Sequence, residues 1–233
     1  DIARQGVVTH SSGNHAAALA LAARERGIAA HVVMPTTAPA PKKAAVAAYG
    51  ARIVECEPTL AARLAAAEAV MAQTGGVLIP PFDSRHVAAG QGTAALELLE
   101  DAGPLDLLLV PVGGGGLLAG TLAVGAEKIV RVIGAEPAAA DDAARGFRLG
   151  QIQPQVLPVQ TVADGLTTAM SDMTFAAMRR GAADMATASE AGIVSAMRLV
   201  WQRMKILIES SSAVPVAAML EGAVEMRGLR VGV

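Results

Sequence analysis

The sequence predicts an α/β protein of two domains, each with helices packed on an open, twisted parallel sheet. Short apolar runs that suit strands alternate along the chain with longer alanine-rich or amphipathic stretches that suit helices. Hydrophobic residues make up 53% of the 233 residues but aromatic residues only 2%, so small aliphatic side chains must build the core. The double proline Pro80-Pro81 interrupts the pattern. We therefore expect a small domain over residues 6–80 and a large domain over residues 81–233, completed by residues 1–5.

The first half of the chain reads as a regular series of strand and helix units. Gly50 and the pair Gly75-Gly76 end two of the predicted helices, as glycine commonly does. The strands are predicted over residues 6–10, 30–35, 51–56 and 77–82, and the helices over residues 16–27, 41–49 and 60–74.

The second half continues the series with longer helices. Gly90 and Gly92 lie inside the first of them and cost helix stability, which predicts close packing or ligand approach there. Helices are predicted over residues 86–99, 117–125, 174–180, 190–205 and 213–222, and strands over residues 107–112, 131–137 and 229–233. Because the last strand stops in mid-course and the first begins after five residues, we expect the N- and C-terminal parts of the fold to be missing.

Charge and composition argue against several classes of function. A formal net charge of -2 favours neither a nucleic acid nor an anionic membrane as a partner. No run approaches the roughly 18 apolar residues of a membrane span, and the N-terminus lacks the form of a signal peptide. The single cysteine, Cys56, excludes an internal disulfide and suits a reducing compartment. We expect a soluble cytoplasmic protein with no nucleic-acid or membrane partner.

Four consecutive glycines, Gly113 to Gly116, stand between a predicted strand and a predicted helix. Glycine lets backbone N–H groups approach an anion closely, and the helix N-terminus adds partial positive charge at the same place. The stretch is therefore a candidate phosphate-binding loop. A tight turn or a flexible linker is the alternative for a glycine run taken by itself.

A second polar turn, from Ser11 to His15, follows the first predicted strand and precedes an alanine-rich helix. Its hydroxyl, amide and imidazole groups gather at a helix N-terminus, which makes it a second candidate anion site. Taken singly, each residue also suits an ordinary role. Ser11 or Ser12 could cap the helix, Asn14 could form the turn, and His15 could lie on the surface.

With these two turns and four further motifs, the chain resembles the serine racemase / threonine (serine) dehydratase family. The further motifs are Gln91 in Ala-Gly-Gln-Gly-Thr, Glu136-Pro137 with Asp141-Asp142, Ala163-Asp164-Gly165, and Trp201 to Lys205 before Glu209. The resemblance runs from Gly6 to Val233. It implies the tryptophan-synthase-β-like fold (fold type II), two α/β domains with a cofactor cleft between them, and pyridoxal 5'-phosphate as the cofactor.

The resemblance also implies roles for individual residues. The cofactor-binding residues would be Gly113, Gly114, Gly115 and Gly116 on the phosphate, Asn14 on the ring hydroxyl, and Glu209. The substrate-binding residues would be Ser11, Ser12, His15, Arg63 and Thr168. Ser12 stands where racemases carry the hydroxyl that transfers the second proton, so it is the candidate catalytic residue.

A divalent cation is a further implication of the resemblance. Glu136, the carbonyl of Ala140, and Asp142 match the family's cation site. Carboxylate and carbonyl oxygens suit Mg²⁺, Ca²⁺ or Mn²⁺. Without the resemblance, Asp141-Asp142 reads as a charge pair at a helix N-terminus.

Three departures from the family pattern stand out. The family lysine that binds the cofactor covalently precedes the serine-rich turn, whereas the first lysine of this chain is Lys42. The family's Ser-Gly-Gly-Asn turn would follow Val233, and Ser210 stands where the family has proline after Glu209. Either the chain is part of a longer enzyme or it is a shortened relative that is inactive alone. Retention of the candidate phosphate, substrate and cation residues favours the first explanation.

The resemblance predicts dehydration or racemisation of a small hydroxyamino acid such as serine, threonine or 3-hydroxyaspartate, by a homodimer. Two alternatives are open. One is a non-catalytic phosphate- or nucleotide-binding module on the same scaffold. The other is a cysteine-synthase-like enzyme, against which the Glu136 and Asp142 pair argues.

Overall fold

The computed structural model describes residues 2–155 and 157–233. The chain divides into two compact units, Asp1–Pro81 and Phe82–Val233, so the boundary falls directly after the double proline. Each unit has its own four-stranded sheet with helices packed on it, and every strand pairing is parallel. The predicted α/β class is confirmed.

The first unit has the strand order β3-β2-β1-β4. Its elements are α1 (Ile2–Gln5), β1 (Val7–Thr9), α2 (Asn14–Glu25), β2 (Ala30–Pro35), α3 (Ala40–Ala48), β3 (Arg52–Cys56), α4 (Leu60–Thr74) and β4 (Val77–Leu78). In register, Val8 of β1 stands opposite His31 of β2.

Alternate residues of this first sheet feed two separate cores. Val7, Val32 and Met34 pack with the buried alanines of α2 and with Val46 of α3. Val8 and Val33 face the other way and pack with Ala67 and Val70 of α4. Because successive side chains of a strand point to opposite faces, α2 and α3 cover one face and α4 covers the other.

The second unit has the strand order β7-β6-β5-β8. Its elements are α5 (Arg85–Ala102), β5 (Leu107–Pro111), α6 (Gly116–Lys128), β6 (Arg131–Pro137), α7 (Asp142–Leu149), α8 (Asp172–Gly181), β7 (Asp184–Ala188), α9 (Glu190–Met204), α10 (Ser210–Leu220) and β8 (Val231–Gly232). Leu107 and Leu109 pack with α9 and α10, whereas Leu108 and Val110 pack with α5, α6 and α8.

Two elements of the second unit were missing from the sequence prediction. The helix α7 follows Asp141, and the strand β7 pairs along its whole length with β6, from Ile133 opposite Asp184 to Pro137 opposite Ala188. The stretch Asp-Met-Ala-Thr-Ala has neither a continuous apolar run nor clean alternation. It forms a strand because its backbone pairs with β6, and this pairing joins residues that are distant in the sequence.

Both sheets place a polar loop at the point where the strand order reverses. In the first sheet β1 lies between β2 and β4, and in the second β5 lies between β6 and β8. Ligands of open α/β sheets bind at the carboxyl ends of the strands beside such a reversal. The turn from Ser11 to His15 follows β1, and the glycine run follows β5.

The helices α5 and α6 cross at two glycines. A Cβ built on Gly92 would lie 2.9 Å from the Gly120 carbonyl oxygen, and one built on Gly120 would lie 2.1 Å from the Ala88 carbonyl oxygen. The predicted close packing is therefore confirmed at Gly92. At Gly90 nothing lies within 4 Å of the built Cβ, so packing does not require a glycine there.

Within the described part of the chain, none of the helices combines the length and the apolar character that a membrane crossing requires.

Candidate functional site

The four-glycine loop connects β5 to α6 in the second unit. Val112 extends the sheet by one bond, since its N–H donates to the Ala135 carbonyl at 2.9 Å. Gly115 then adopts the left-handed conformation, with φ 84° and ψ 7°, and α6 starts at Gly116. Only glycine adopts this backbone conformation without strain, which fixes where the helix begins.

The glycines are also required by neighbouring protein atoms. A Cβ on Gly114 would lie 2.3 Å from the Phe82 ring, and one on Gly115 would lie 2.4 Å from the methyl carbon of Met170. A Cβ on Gly113 would lie 3.1 Å from the Cα of Leu166. Sequence patterns do not reveal these contacts, because they come from segments distant along the chain.

The backbone N–H groups of this loop are available to a ligand. Across the described residues, those of residues 113–118 donate no hydrogen bond, and the first bond of the helix runs from Ala119 N–H to the Gly115 carbonyl. Gly115 and Gly116 combine a left-handed with a right-handed residue, the alternation that turns successive N–H groups towards one point. Buried backbone donors of this kind are rarely left without a partner. A phosphate group therefore fits this loop chemically.

The segment 163–166 and the start of α10 lie against the glycine loop. Gly165 packs on Gly113, because a Cβ on Gly113 would lie 3.2 Å from the Gly165 carbonyl oxygen. The Gly165 N–H donates to Ser211 Oγ at 3.0 Å, and Glu209 Oε1 lies 3.9 Å from the Cβ position of Gly165. The structure thus brings Glu209, an exposed residue, to the neighbourhood of Gly113 through Gly165.

Thr168 lies on the loop between this segment and α8, and its side chain is exposed. The loop is held beside it, since the Thr167 carbonyl accepts a hydrogen bond from the Gln155 side chain. An exposed hydroxyl on a held loop suits the predicted place at the edge of a substrate site.

In the first unit, the turn that carries Ser11 and Ser12 leads into α2. Ser11 Oγ accepts a long hydrogen bond of 3.4 Å from the Gly13 N–H, so Ser11 takes part in the turn itself. The Ser12 hydroxyl is half-buried and has no hydrogen-bond partner among the described residues. Asn14 is exposed at the first position of the helix.

His15 is already engaged by its own unit. Its Nε2 lies 3.1 Å from the Ile79 carbonyl oxygen, which can only accept, so the proton is on Nε2. Burial lowers the pKa of His15, with a smaller contribution from the charge of His10 and against the effect of the Ile79 hydrogen bond. The imidazole is therefore neutral at pH 7.

Arg63 of α4 lies near the carboxyl ends of β1 and β3. Burial lowers the pKa of His10, and the positive charge of Arg63 lowers it further. Burial raises the pKa of the Cys56 thiol, while the charge of Arg63 acts in the opposite direction. Both effects place a half-buried guanidinium near His10, the residue that precedes the turn from Ser11 to His15.

The predicted cation residues lie where β6 leads into α7. Glu136 is buried, and its two carboxylate oxygens accept hydrogen bonds from the N–H groups of Ala143 at 3.2 Å and Ala144 at 2.7 Å. Burial raises the pKa of Glu136 to about 8 against these hydrogen bonds, and the charge of Asp142 adds to the rise. Burial also raises the pKa of Asp142.

This donor set fits a hard cation. Ala140 is buried, and its carbonyl accepts no hydrogen bond within residues 2–155 and 157–233. Two buried carboxylates and an unpaired carbonyl are oxygen ligands that a divalent ion would neutralise and satisfy. Asp141 is turned to another partner, since its Oδ1 lies 2.8 Å from Arg145 Nε. The described residues contain no group of three or more acidic, histidine or cysteine side chains that could hold a metal by themselves.

Two lysines lie in the first unit. Lys43 Nζ is paired with Glu55 at 2.5 Å and with the Thr36 carbonyl at 2.9 Å. Lys42 lines a cavity of about 200 Å³ together with Gly13 and Asn14. Lys43 is thus a structural residue, while Lys42 faces the same cavity as the start of α2.

A larger cavity of about 470 Å³ in the second unit is lined mostly by apolar residues, with Thr121 and Ser212 among them. Leu98, Val200, Met204 and Val233 are among its lining residues, and none of the candidate site residues is. Its lining is mostly apolar and suits the packing of apolar groups.

Comparison with known proteins gives a consistent result. Residues 2–233 match the profile of the family described as "Pyridoxal-phosphate dependent enzyme". The chain is 47% identical to the β-hydroxyaspartate dehydratase of Paracoccus denitrificans (strain Pd 1222) over 99% of this chain and 74% of that protein. It is 46% identical to the serine racemase of Homo sapiens over 93% of this chain and 64% of that protein.

A solved structure of serine racemase from Dictyostelium discoideum matches the fold with a TM-score of 0.92 and 42% identity. The match covers 99% of this chain and 75% of that one. The chain thus spans about two thirds to three quarters of the length of these proteins.

Proposed function

The chain belongs to the family of pyridoxal-phosphate dependent enzymes, and we propose that the protein dehydrates or racemises a small hydroxyamino acid such as serine, threonine or 3-hydroxyaspartate. The similarity to a β-hydroxyaspartate dehydratase and to serine racemases supports this choice of substrate class. The predicted homodimer and the cytoplasmic location belong to the same proposal.

The observation that carries the proposal is the free run of N–H groups from residue 113 to residue 118. A phosphate dianion needs several fixed donors, and this loop holds them at the N-terminus of α6, where the helix dipole favours negative charge. The neighbouring Glu209 and the exposed Asn14 are the other proposed cofactor-binding residues. Bound pyridoxal phosphate would supply the electron sink that makes loss of the Cα proton possible.

The residues of the polar turn would bind and protonate the substrate. Ser12 Oγ, which is half-buried and has no partner among the described residues, is the proposed donor of a proton to Cα in racemisation. Arg63 would attract a substrate carboxylate by its charge. His15 is neutral with its proton committed to Ile79, so we assign it to shaping the turn and offering its other nitrogen to the substrate.

A divalent cation would be held by Glu136, the carbonyl of Ala140, and Asp142. Its place between β6 and α7 lies beside no reacting group of the described residues, so we assign it a structural role. It would cancel the repulsion between two buried carboxylates and fix the start of α7.

The test uses the natural protein that contains this chain, with L-serine, L-threonine and 3-hydroxyaspartate as substrates. We expect keto acid from at least one of the three, and the Ser12→Ala variant should lose formation of the opposite enantiomer while it keeps forming keto acid. The reason is that formation of the opposite enantiomer needs a proton delivered to the other face of Cα, whereas dehydration needs its proton on the leaving hydroxyl and none on that face of Cα. Absence of both keto acid and enantiomer from all three substrates would refute the proposal.

The non-catalytic alternative is tested with the chain itself. Calorimetry should give binding of pyridoxal 5'-phosphate that is tighter than binding of nucleoside phosphates, because the loop and Asn14 are proposed to recognise both the phosphate and the ring. Tighter binding of a nucleotide would favour the binding module instead.

A further inference from the structure

Thr174, on the first turn of α8, contacts the glycine loop directly. The residue is fully buried, and its Oγ1 lies 2.8 Å from the Gly114 carbonyl oxygen. The two residues are far apart in the sequence, and Thr174 belongs to none of the motifs that marked the candidate site.

The hydroxyl has one proton, and the distances show which acceptor receives it. The Gly114 carbonyl at 2.8 Å is closer than the Ser171 Oγ at 3.2 Å or the Ser171 carbonyl at 3.3 Å. The Ser171 N–H donates to the same Oγ1 at 3.0 Å as part of the capping box of α8. Thr174 therefore accepts from the helix cap and donates to the glycine loop.

Pinning the Gly114 carbonyl also fixes the neighbouring N–H group. In a planar trans peptide the C=O of one residue and the N–H of the next point in opposite directions. The Gly115 N–H is therefore aimed away from α8 as long as the Gly114 carbonyl is held by Thr174. Two glycines flank this peptide, so their own backbone preferences do little to stop it from turning over.

Packing supports the same orientation. A Cβ built on Gly115 would lie 2.9 Å from the Thr174 Cβ, so the threonine side chain fills the space on that side of the loop. Thr174 thus gives the loop one hydrogen bond and one packing contact, beside the contacts of Phe82, Leu166 and Met170.

We propose that Thr174 is a positioning residue of the phosphate-binding loop, whose hydroxyl holds the Gly114–Gly115 peptide so that the Gly115 N–H is directed at the bound phosphate. This rests on the proposed function, since it assumes that the loop binds the phosphate of the cofactor. Thr174 itself touches neither phosphate nor substrate and acts through the peptide.

The experiment compares binding of pyridoxal 5'-phosphate with binding of pyridoxal, because the ratio of the two affinities isolates the contribution of the phosphate. Thr174→Val removes the hydroxyl and keeps the shape, while Thr174→Ser keeps the hydroxyl. Ser171→Ala is the matched control, since it weakens the cap of α8 and removes the Ser171 Oγ that lies 3.2 Å from Thr174 Oγ1, but keeps the Thr174 hydroxyl that donates to Gly114. Thermal unfolding of each variant is measured in parallel.

We expect the affinity ratio to fall about tenfold in Thr174→Val and to stay within about twofold of wild type in Thr174→Ser, the size of one hydrogen bond to a charged group. Ser171→Ala should unfold at a lower temperature but keep the wild-type affinity ratio. If Thr174 acted only by stabilising α8, weakening the cap of α8 would lower the affinity ratio as well. An unchanged ratio in Thr174→Val would overturn the inference. A wild-type chain with no preference for the phosphorylated ligand would overturn the proposed function as well, and so the two failures are distinguishable.

A measurement on the wild-type chain covers the case in which Thr174→Val does not fold. With ¹⁵N-glycine labelling, the Gly115 amide should show one of the largest shifts of the 24 glycines when inorganic phosphate is added. A Gly115 amide that stays in place while those of Gly113 and Gly116 move would overturn the inference.

Discussion

Replacing Gly120 by alanine tests whether the crossing of α5 and α6 positions the glycine loop. The new Cβ would lie 2.1 Å from the Ala88 carbonyl oxygen and 2.5 Å from the Gly92 nitrogen, both backbone atoms of α5, and such contacts have to open to at least 3.0 Å. Overpacking of this kind lowers the free energy of unfolding by roughly 1–3 kcal/mol. We expect a loss near the upper end of this range, because the neighbouring atoms belong to the backbone and move only with their helix. The better helix propensity of alanine raises the free energy of unfolding by about 1 kcal/mol and offsets part of this loss.

The matched control is Gly90→Ala, on the same pair of helices, where nothing lies within 4 Å of the new Cβ. That variant should be about 0.5–1 kcal/mol more stable than wild type, since only the propensity changes. The expected net loss for Gly120→Ala is about 2 kcal/mol, so the two variants should differ by about 3 kcal/mol.

Urea unfolding measures this difference as a shift of the midpoint at constant slope. With a slope of about 1–3 kcal/mol per molar urea, the midpoints should lie at least about 1 M apart. Because α6 begins at Gly116, Gly120→Ala should also weaken the binding of pyridoxal 5'-phosphate. Equal midpoints for the two variants would refute the reasoning from the helix contact.

Two further predictions concern charge. Mg²⁺ should raise the unfolding temperature of the chain, because a hundredfold excess over its Kd adds about 2.7 kcal/mol to the free energy of unfolding. Glu136→Gln should abolish this rise in unfolding temperature, and Asp141→Asn should retain it. An equal rise in wild type and both variants would contradict the assigned site. Because burial lowers the pKa of His15 below 6.5, the unfolded chain binds the proton more tightly, so stability is fully present above about pH 6.5 and is lost as the pH falls towards the folded-state pKa. His15→Gln, which still donates but does not titrate, should flatten that slope by up to about 1.4 kcal/mol per pH unit, whereas an unchanged slope in denaturation curves between pH 5 and pH 7 would count against it.

Most of the fold could be predicted because local signals and tertiary structure agree. The apolar run from residue 107 to residue 110, the glycines after it and the helix that follows each favour the same strand, loop and helix. The prediction failed at β7, where only pairing with β6 makes a strand of Asp184–Ala188, and at α7, for which no helix range was predicted although Asp141-Asp142 suits a helix N-terminus. Pairing partners are distant in sequence, and no window of residues reveals them.

The candidate site shows the same division. Residue type alone marked the glycine run and the serine-rich turn, because anions need donors, whereas the acidic residues became a candidate cation site only through the family resemblance. The roles of these residues stay predictions. Sequence patterns gave no sign of the Thr174 hydroxyl on Gly114 or of the Gly165 contact with Gly113, since each joins separate segments.

By itself, the sequence determined the α/β class and the order of most elements, and it predicted a candidate anion-binding turn at two strand ends. These follow from local composition, since strand, turn and helix preferences act over a few residues. Only the tertiary structure decided which backbone N–H groups remain free and which way the peptides of the glycine loop point. Those depend on Phe82, Leu166, Met170 and Thr174, which reach the loop only when the chain is folded.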